Sequence, residues 1–315
     1  MVNDMNAVVS MFKNGNDVFG GYGAADFDIA EAGLTYTTDS GIVLPSSKKV
    51  VYRTDNGAEL GVHSSGYKPV PPKVMIDQTR AIILRSELNT TGIEETIRTS
   101  HSGSRTFVQY RLPNHTYTTP DGDTAALSLL AITSTDSSWP FMISVAAIQR
   151  ACTNLQVFVG GEVAVFKSKH TSNLDIDHGS RTIVKALETF ENERELWAKM
   201  VNTHISIRRA FLMFAEAAGC KDKVLEIMEA FPNHGGTQIL AEFKRSNTAM
   251  QYLWDVFATY RKRFGDTQWA AYNALTDWST HAGVSKKSID NVASIQYNRQ
   301  ETVRSVARKY LLEAA

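Results

Sequence analysis

The stretch Arg105-Thr106-Phe107-Val108-Gln109-Tyr110-Arg111-Leu112 alternates strictly. Thr106, Val108, Tyr110 and Leu112 fall on one side; Arg105, Phe107, Gln109 and Arg111 fall on the other. A two-residue period belongs to a β-strand, whose successive side chains leave opposite faces. The spacing therefore predicts a strand with one packed face and one basic, aromatic face.

Upstream, Val50, Val51 and Tyr52 lead through Asp55-Asn56-Gly57 to Leu60, Gly61 and Val62. Asn-Gly between β-formers predicts a hairpin, because both turn positions need positive φ. Pro71-Pro72 suits a helix start, where the missing N–H groups have no use. Val74, Ile76, Ile82 and Ile83, interleaved with Lys73, Asp77, Arg80 and Arg85, predict an amphipathic helix to about Glu87. Residues 1–48 scatter Gly and Asn among few apolar residues and read as a flexible arm.

Downstream, residues 114–124 read as a long loop, and 125–133 and 141–148 as apolar strands joined by Thr135-Asp136-Ser137-Ser138. Residues 155–159 and 162–166 flank Gly160-Gly161 as a further hairpin, with a helix competing over 150–158. After His178-Gly179 the chain becomes helical, with Ser180 as N-cap and Ile183, Leu187, Phe190, Leu196 and Met200 at helical spacing. More helices are expected at about 222–231, 247–263, 267–281 and 298–313, with Asn247 and Asp266 in capping positions. The fold class is α+β: an N-terminal antiparallel β-sheet with packed helices, followed by a C-terminal helical region. The expected division is an arm at 1–48, an α+β core at 49–178 and a helical region at 179–315.

A chain of 315 residues, 43% hydrophobic and 21% charged, can bury a core without disulfide or metal staples. Cys152 and Cys220 form no C-x-x-C pair, which agrees with a reducing cytoplasm. Asp4, Lys13 and Asp17 interrupt the N-terminus, so no signal peptide is expected there. No apolar run reaches the ~20 residues of a membrane helix. The 33 basic and 33 acidic residues cancel, which argues against a basic coat for duplex DNA. They are unevenly placed: the first 60 residues are acidic and the stretch beyond 240 is basic. Such asymmetry points to head-to-tail contact between subunits or to a polyanion surface.

No phosphate-binding Gly-rich loop ending in Lys-Ser/Thr, no His-Glu-x-x-His and no Gly-x-Ser-x-Gly occurs. Gly20-Gly21-Tyr22-Gly23 follows no strand. His170, Asp175, Asp177 and His178 lie close enough to raise a metal-dependent nuclease as a third reading. Their spacing matches no ligand pattern, and a polar loop ending in a helix cap explains them better. Cys152-Thr153-Asn154 reads as a buried cysteine before a tight turn. Lys167-Ser168-Lys169-His170-Thr171 sets three cationic side chains and two hydroxyls just past an apolar strand. That set suits phosphate contacts, against the plainer reading of a solvated hairpin end. Arg261-Lys262-Arg263 ends a helix and complements its dipole.

An ordered set of short motifs carries a family resemblance. They are Tyr52-Arg53-Thr54 through Gly57, Leu60-Gly61-Val62, Tyr67-Lys68-Pro69-Val70, Arg150-Ala151-Cys152-Thr153-Asn154, Lys169-His170-Thr171, and Trp269-Ala270-Ala271-Tyr272-Asn273-Ala274-Leu275-Thr276-Asp277-Trp278. Together, over roughly residues 35–310, the chain resembles the phage- and plasmid-borne family called domain of unknown function 932. The resemblance implies a mobile-element setting and no established activity, and it carries no catalytic residues over. The plan of strands and helix is in turn similar, at the level of fold, to phage single-strand annealing proteins of the RecT, Redβ and Erf kind.

The resulting expectation is a single-stranded DNA-binding and annealing protein of recombination, acting in the bacterial cytoplasm without ATP, cofactor or covalent chemistry. Arg105, Arg111, Arg150, Lys167, Lys169 and His170 would track the phosphates, and Phe107 or Tyr110 would offer a base a stacking surface. Expected partners are single-stranded DNA, further copies of the chain in a ring or filament, and a phage exonuclease; no membrane is expected. The rival expectation is a structural or host-interaction phage protein without a nucleic-acid role.

Overall fold

In a computed structural model, residues 105–112 form the first part of a strand that runs on to Thr118. The structure describes residues 19–86, 88–118, 122, 124–149, 155–156, 165–168, 176–230, 232, 247–283 and 299–312. Strands β1 (Ile29–Thr37), β2 (Val43–Arg53) and β3 (Glu59–Ser64) form one antiparallel sheet in that order. Helix α1 (Pro72–Arg85) follows. A second sheet has the order β4 (Glu94–Ser100), β5 (Arg105–Thr118), β6 (Thr124–Ser134), β7 (Phe141–Gln149), with β8 (Leu155–Gln156) and β9 (Val165–Ser168) both on β7. Helices α2 (Ile176–Asn202), α3 (Ile207–Ala217), α4 (Lys221–Ala230), α5 (Thr248–Phe264) and α6 (Gln268–His281) come next. The last, α7, covers 299–307 and runs into a π-turn at Arg308–Leu312. The chain is α+β, with its sheets in the N-terminal half and helices in the C-terminal half.

Two compact units divide it: Met1–His115, Leu127–Val145 and Val163–Ala186 in the first; Thr116–Ala126, Ala146–Glu162 and Leu187–Ala315 in the second. In the first unit, the β2–β3 hairpin turns where the Asn-Gly pair predicts. Gly57 has φ +71°, a left-handed conformation that costs glycine nothing, and its N–H donates to the Arg53 carbonyl at 3.0 Å. Residues 29–48 correct the reading of an arm: they form β1 and the first half of β2. Cross-strand pairing supplies there what local composition does not signal. Strand β5 likewise continues to Thr118, over 114–118 where a loop was expected. Pro113 has no N–H to give, yet β4 begins at Glu94 opposite Arg111, so that side of β5 lacks a β4 partner at residue 113. The pieces expected to form a hairpin at Gly160-Gly161 instead pair with β7: Leu155 opposite Ile148, and Val165 opposite Ser144.

Helix α1 is tied down by a buried ion pair. Arg80, 4% exposed, donates through Nε and Nη2 to the Glu95 oxygens of β4 at 2.9 and 2.6 Å. Its Nη2 also donates to the carbonyls of Gly20 and Gly21 at 2.8 and 3.2 Å, and its guanidinium lies over the Phe19 and Tyr22 rings. The Tyr22 hydroxyl donates to Asp77, whose carboxyl is pushed up by burial. One side chain thus holds the segment before β1, helix α1 and the edge of the second sheet. Desolvation of the two ions is offset here by the paired bonds to Glu95 and by the further bonds of Nη2 to the two carbonyls.

The second unit is an aromatic helical packing. Helix α6 is buried from Trp269 to Thr276, and its hydroxyls bond to the helix's own carbonyls, Thr276 to Asn273 and Thr280 to Thr276. Polar residues can therefore sit inside without external partners. Trp197, Trp269 and Tyr117 pack ring to ring, and Asp277 accepts from Tyr252 and Tyr260. Asn247 caps α5 as expected. Thr267, rather than Asp266, caps α6, and α2 starts at Ile176, ahead of Ser180. Helix α3, not expected from the sequence, is capped by Ser206, which accepts from the Arg209 N–H. At Glu216, burial pushes the carboxyl's pKa up, but donors from Lys309, Lys221 and Tyr310 outweigh it and hold the pKa at about 2 instead of 4.5.

Two outcomes follow. Arg80→Ala leaves Glu95 buried and uncompensated and should lower the urea-measured unfolding free energy by about 3–5 kcal/mol, whereas Arg80→Met with Glu95→Leu should lose far less. A group whose folded value lies below its unfolded value stabilises above the unfolded one and loses that contribution as pH falls through the folded one. The stability gap between wild type and Glu216→Gln should therefore shrink as pH drops from 4.5 towards about 2 in urea titrations.

Candidate nucleic-acid interface

Strand β5 lies between β4 and β6, and its two faces differ less than alternation predicts. Thr106, Val108, Tyr110 and Leu112 are buried as expected, but Phe107 is also buried at 7% exposure. Neither Phe107 nor Tyr110 presents a ring face to solvent. Arg105 donates from Nε to Asp136 at 2.8 Å and lies over the Trp139 ring. Arg111 sits 3.1 Å from both oxygens of Glu94. The expected cationic face is thus neutralised by carboxylates brought from 31 and 17 residues away. Arg150, Lys169 and His170 lie outside the described residues, as do Cys152 and Asp175. Lys167 stands on β9 opposite Met142, but its side chain is outside them too. His178 is exposed in the first turn of α2. Among the described residues, no group of three or more His, Cys, Asp or Glu could hold a metal.

Beside Arg105 lies an open cleft of about 340 Å³, lined by Glu59, Leu60 and Gly61 of β3, His101, Ser102 and Ser104 after β4, and Asp136 of the β6–β7 turn. His101, Ser102 and Ser137 have φ of 49°, 60° and 62°, a conformation that strains residues other than glycine. What over-determines them is a set of side-chain bonds. Asp136 accepts from the Ser138 N–H at 2.9 Å and from Ser104 and Arg105. Burial works against its charge, but these donors hold it below the usual carboxylate range. His63 Nε2 lies 2.5 Å from the Thr135 carbonyl, which can only accept; the ring proton is therefore on Nε2. That leaves Nδ1 to accept from the Ser137 hydroxyl at 3.3 Å. A serine on an imidazole nitrogen is half of an acyl-transfer pair. The N–H after Ser137 is committed to Asp136, and the Tyr67 ring stacks on His63 at 4.0 Å. The geometry is that of a lock between β3 and the β6–β7 turn. Gly61 is part of it: a Cβ there would stand 2.7 Å from His63 Nε2 and 3.1 Å from the Asp136 backbone.

Three exposed cations of the second unit stand at two neighbouring helix ends. His204, after α2, forms an antiparallel bridge with Thr267, before α6. Ile205 N–H donates to the Asp266 carbonyl at 2.9 Å, and Gln268 N–H to the Thr203 carbonyl at 2.8 Å. These bonds set the C-terminal turn of α2 beside that of α5. Lys199 of α2 and Lys262 and Arg263 of α5 are exposed there. Arg261 is paired with Asp266, and Arg263 lies over the Phe264 ring at 5.3 Å. Two helix C-termini, each a partial negative charge, meet and draw these cations. The run Arg261-Lys262-Arg263 is legible in the sequence; its neighbour Lys199, distant in the chain, is not.

No curated protein matches the chain, and no solved structure does. The family described as Domain of unknown function (DUF932) matches residues 59–309, which include β3, the His63 lock, the full run of helices to α7 and the basic end of the second unit. With four-fifths of its length matched, the chain belongs to that family.

Proposed function

We propose that the protein binds single-stranded DNA and promotes annealing in recombination of a phage or plasmid, in the host cytoplasm and without ATP. One observation carries this reading: the His204–Thr267 bridge concentrates Lys199, Lys262 and Arg263 at one end of the second unit, where the nearby Asp266 is already paired with Arg261. A chain of zero net charge needs such segregation to hold a polyanion. Phosphate contacts by flexible, exposed cations suit a backbone-tracking, sequence-tolerant mode. Annealing draws its free energy from base pairing, so the protein's part is to hold strands and to bring a partner nuclease or further copies to them. The second reading, an interaction protein without a nucleic-acid role, is favoured by the exposed apolar residues Tyr36, Ile42, Val43 and Leu44, clustered on the first sheet.

Fluorescence anisotropy with a labelled single strand and a duplex, over a salt series, separates the two. Tighter binding to the single strand, weakening with salt, is expected. Lys262→Ala with Arg263→Ala should flatten the slope of log affinity against log salt by about 1.4, at about 0.7 per lost contact. These side chains are exposed, so the melting temperature should hold. The pair Lys167→Ala with Lys169→Ala tests the stretch after β7 in the same way. No binding at low salt would leave the second reading standing.

A further inference from the structure

We infer that β1 is a self-pairing edge: two copies of the chain join by antiparallel alignment of β1 with the partner's β1 about Gly33. This rests on the first sheet alone and holds whichever functional reading is right.

Strand β1 is exposed along most of its length on both faces. In the order β1-β2-β3 it is an edge, so among the described strands nothing pairs with its outer side. Before Lys48, β2 has no β3 partner, and residues 35–37 of β1 with 43–45 of β2 stand as a two-stranded ribbon. Such a ribbon is marginal in water by itself. Natural edges are blunted by charges, prolines or short length. Here the edge is nine residues, Ile29–Thr37, with no proline and one charge, Glu31, already held by Lys49 at 2.6 Å.

What selects a second copy is the fit of this strand to itself. Alignment about Gly33 sets Tyr36 against the partner's Ala30 and Leu34 against the partner's Ala32, large beside small on one face. On the other face it sets Glu31 against the partner's Thr35, a carboxylate facing a hydroxyl, so no like charges oppose. Gly33 itself points the same way. Its φ is not in the left-handed region, and a Cβ there would meet nothing within 4 Å. The register shift beside it places the extra residues on β2, where Ser46, Ser47 and Lys48 separate the pairs Gly33–Lys49 and Thr35–Pro45. Nothing among the described residues therefore requires glycine at the middle of this strand. Glycine inside a strand often marks the close approach of another backbone. Pairing two edges of one kind about a two-fold axis closes the assembly as a dimer.

The test uses the full chain. Sedimentation over a concentration series should show 34.9 kDa monomer passing to a species of twice that mass. Ala32→Lys, at an exposed position, should weaken self-association at least tenfold with an unchanged melt. Gly33→Cys places two thiols across the axis at an opposed-strand spacing of about 4.5–5.5 Å, within disulfide reach, and diamide should give a covalent dimer. Thr37→Cys is the control: its two copies would lie roughly 27 Å apart at about 3.4 Å per residue and should cross-link no more than wild type, which carries Cys152 and Cys220. Equal cross-linking of the two variants, or a monomer across the whole series, overturns the proposal.

Discussion

The Arg80–Glu95 pair is the constraint on which the first unit hangs. Three segments distant in sequence meet at one guanidinium: the turn at Gly20 and Gly21, helix α1 and strand β4. An ion pair joins them there. Its geometry is bidentate, and a planar guanidinium allows that where an ammonium does not. The flanking Phe19 and Tyr22 rings keep water out and add their quadrupole attraction. Removing any one of these groups exposes the others to an incomplete site.

The second unit solves the same problem of joining distant segments by different means. Helix α6, the run Trp269–Trp278 that marks the family, has neighbours on nearly every side, and its small residues Ala270, Ala271 and Ala274 let them approach. Indole and phenol rings fill the remaining space. Some polar atoms in this interior are answered, Asn273 by the Trp269 carbonyl and Tyr252 by Asp277, while the buried indole N–H groups of Trp269 and Trp278 have no hydrogen-bond partner among the described residues. The motif is thus explained by packing, without a ligand.

How far the amino-acid order foretells this structure depends on range. Local periods and caps were readable: the buried set of β5, the Asn-Gly hairpin, the helix opened by Pro72 and the Asn247 cap. Strand β4, with Ile97 its one large apolar residue, and the β1–β2 ribbon carry little local signal, because pairing rather than burial makes them strands. Helix α3 was legible in principle, from Ser206 followed by Phe211 and Phe214, but its period is short. Charge was the least readable property. Arg105 and Arg111 look free in the sequence, and only the sheet brings Asp136 and Glu94 to them. The basic end of the second unit has the converse history, since one short bridge collects what the chain order separates.

The Arg80–Glu95 pair has a further effect on how reliably the second sheet assembles. A slide of one residue along the neighbouring strand turns every side chain to the other face, whereas a slide of two keeps the faces. Sliding β4 that way would set Glu94 against Pro113, which cannot donate, and would draw Glu95 two positions away from Arg80. The misaligned product would leave a buried guanidinium without its carboxylate. The buried pair thereby favours the register that ends at Arg111, short of Pro113.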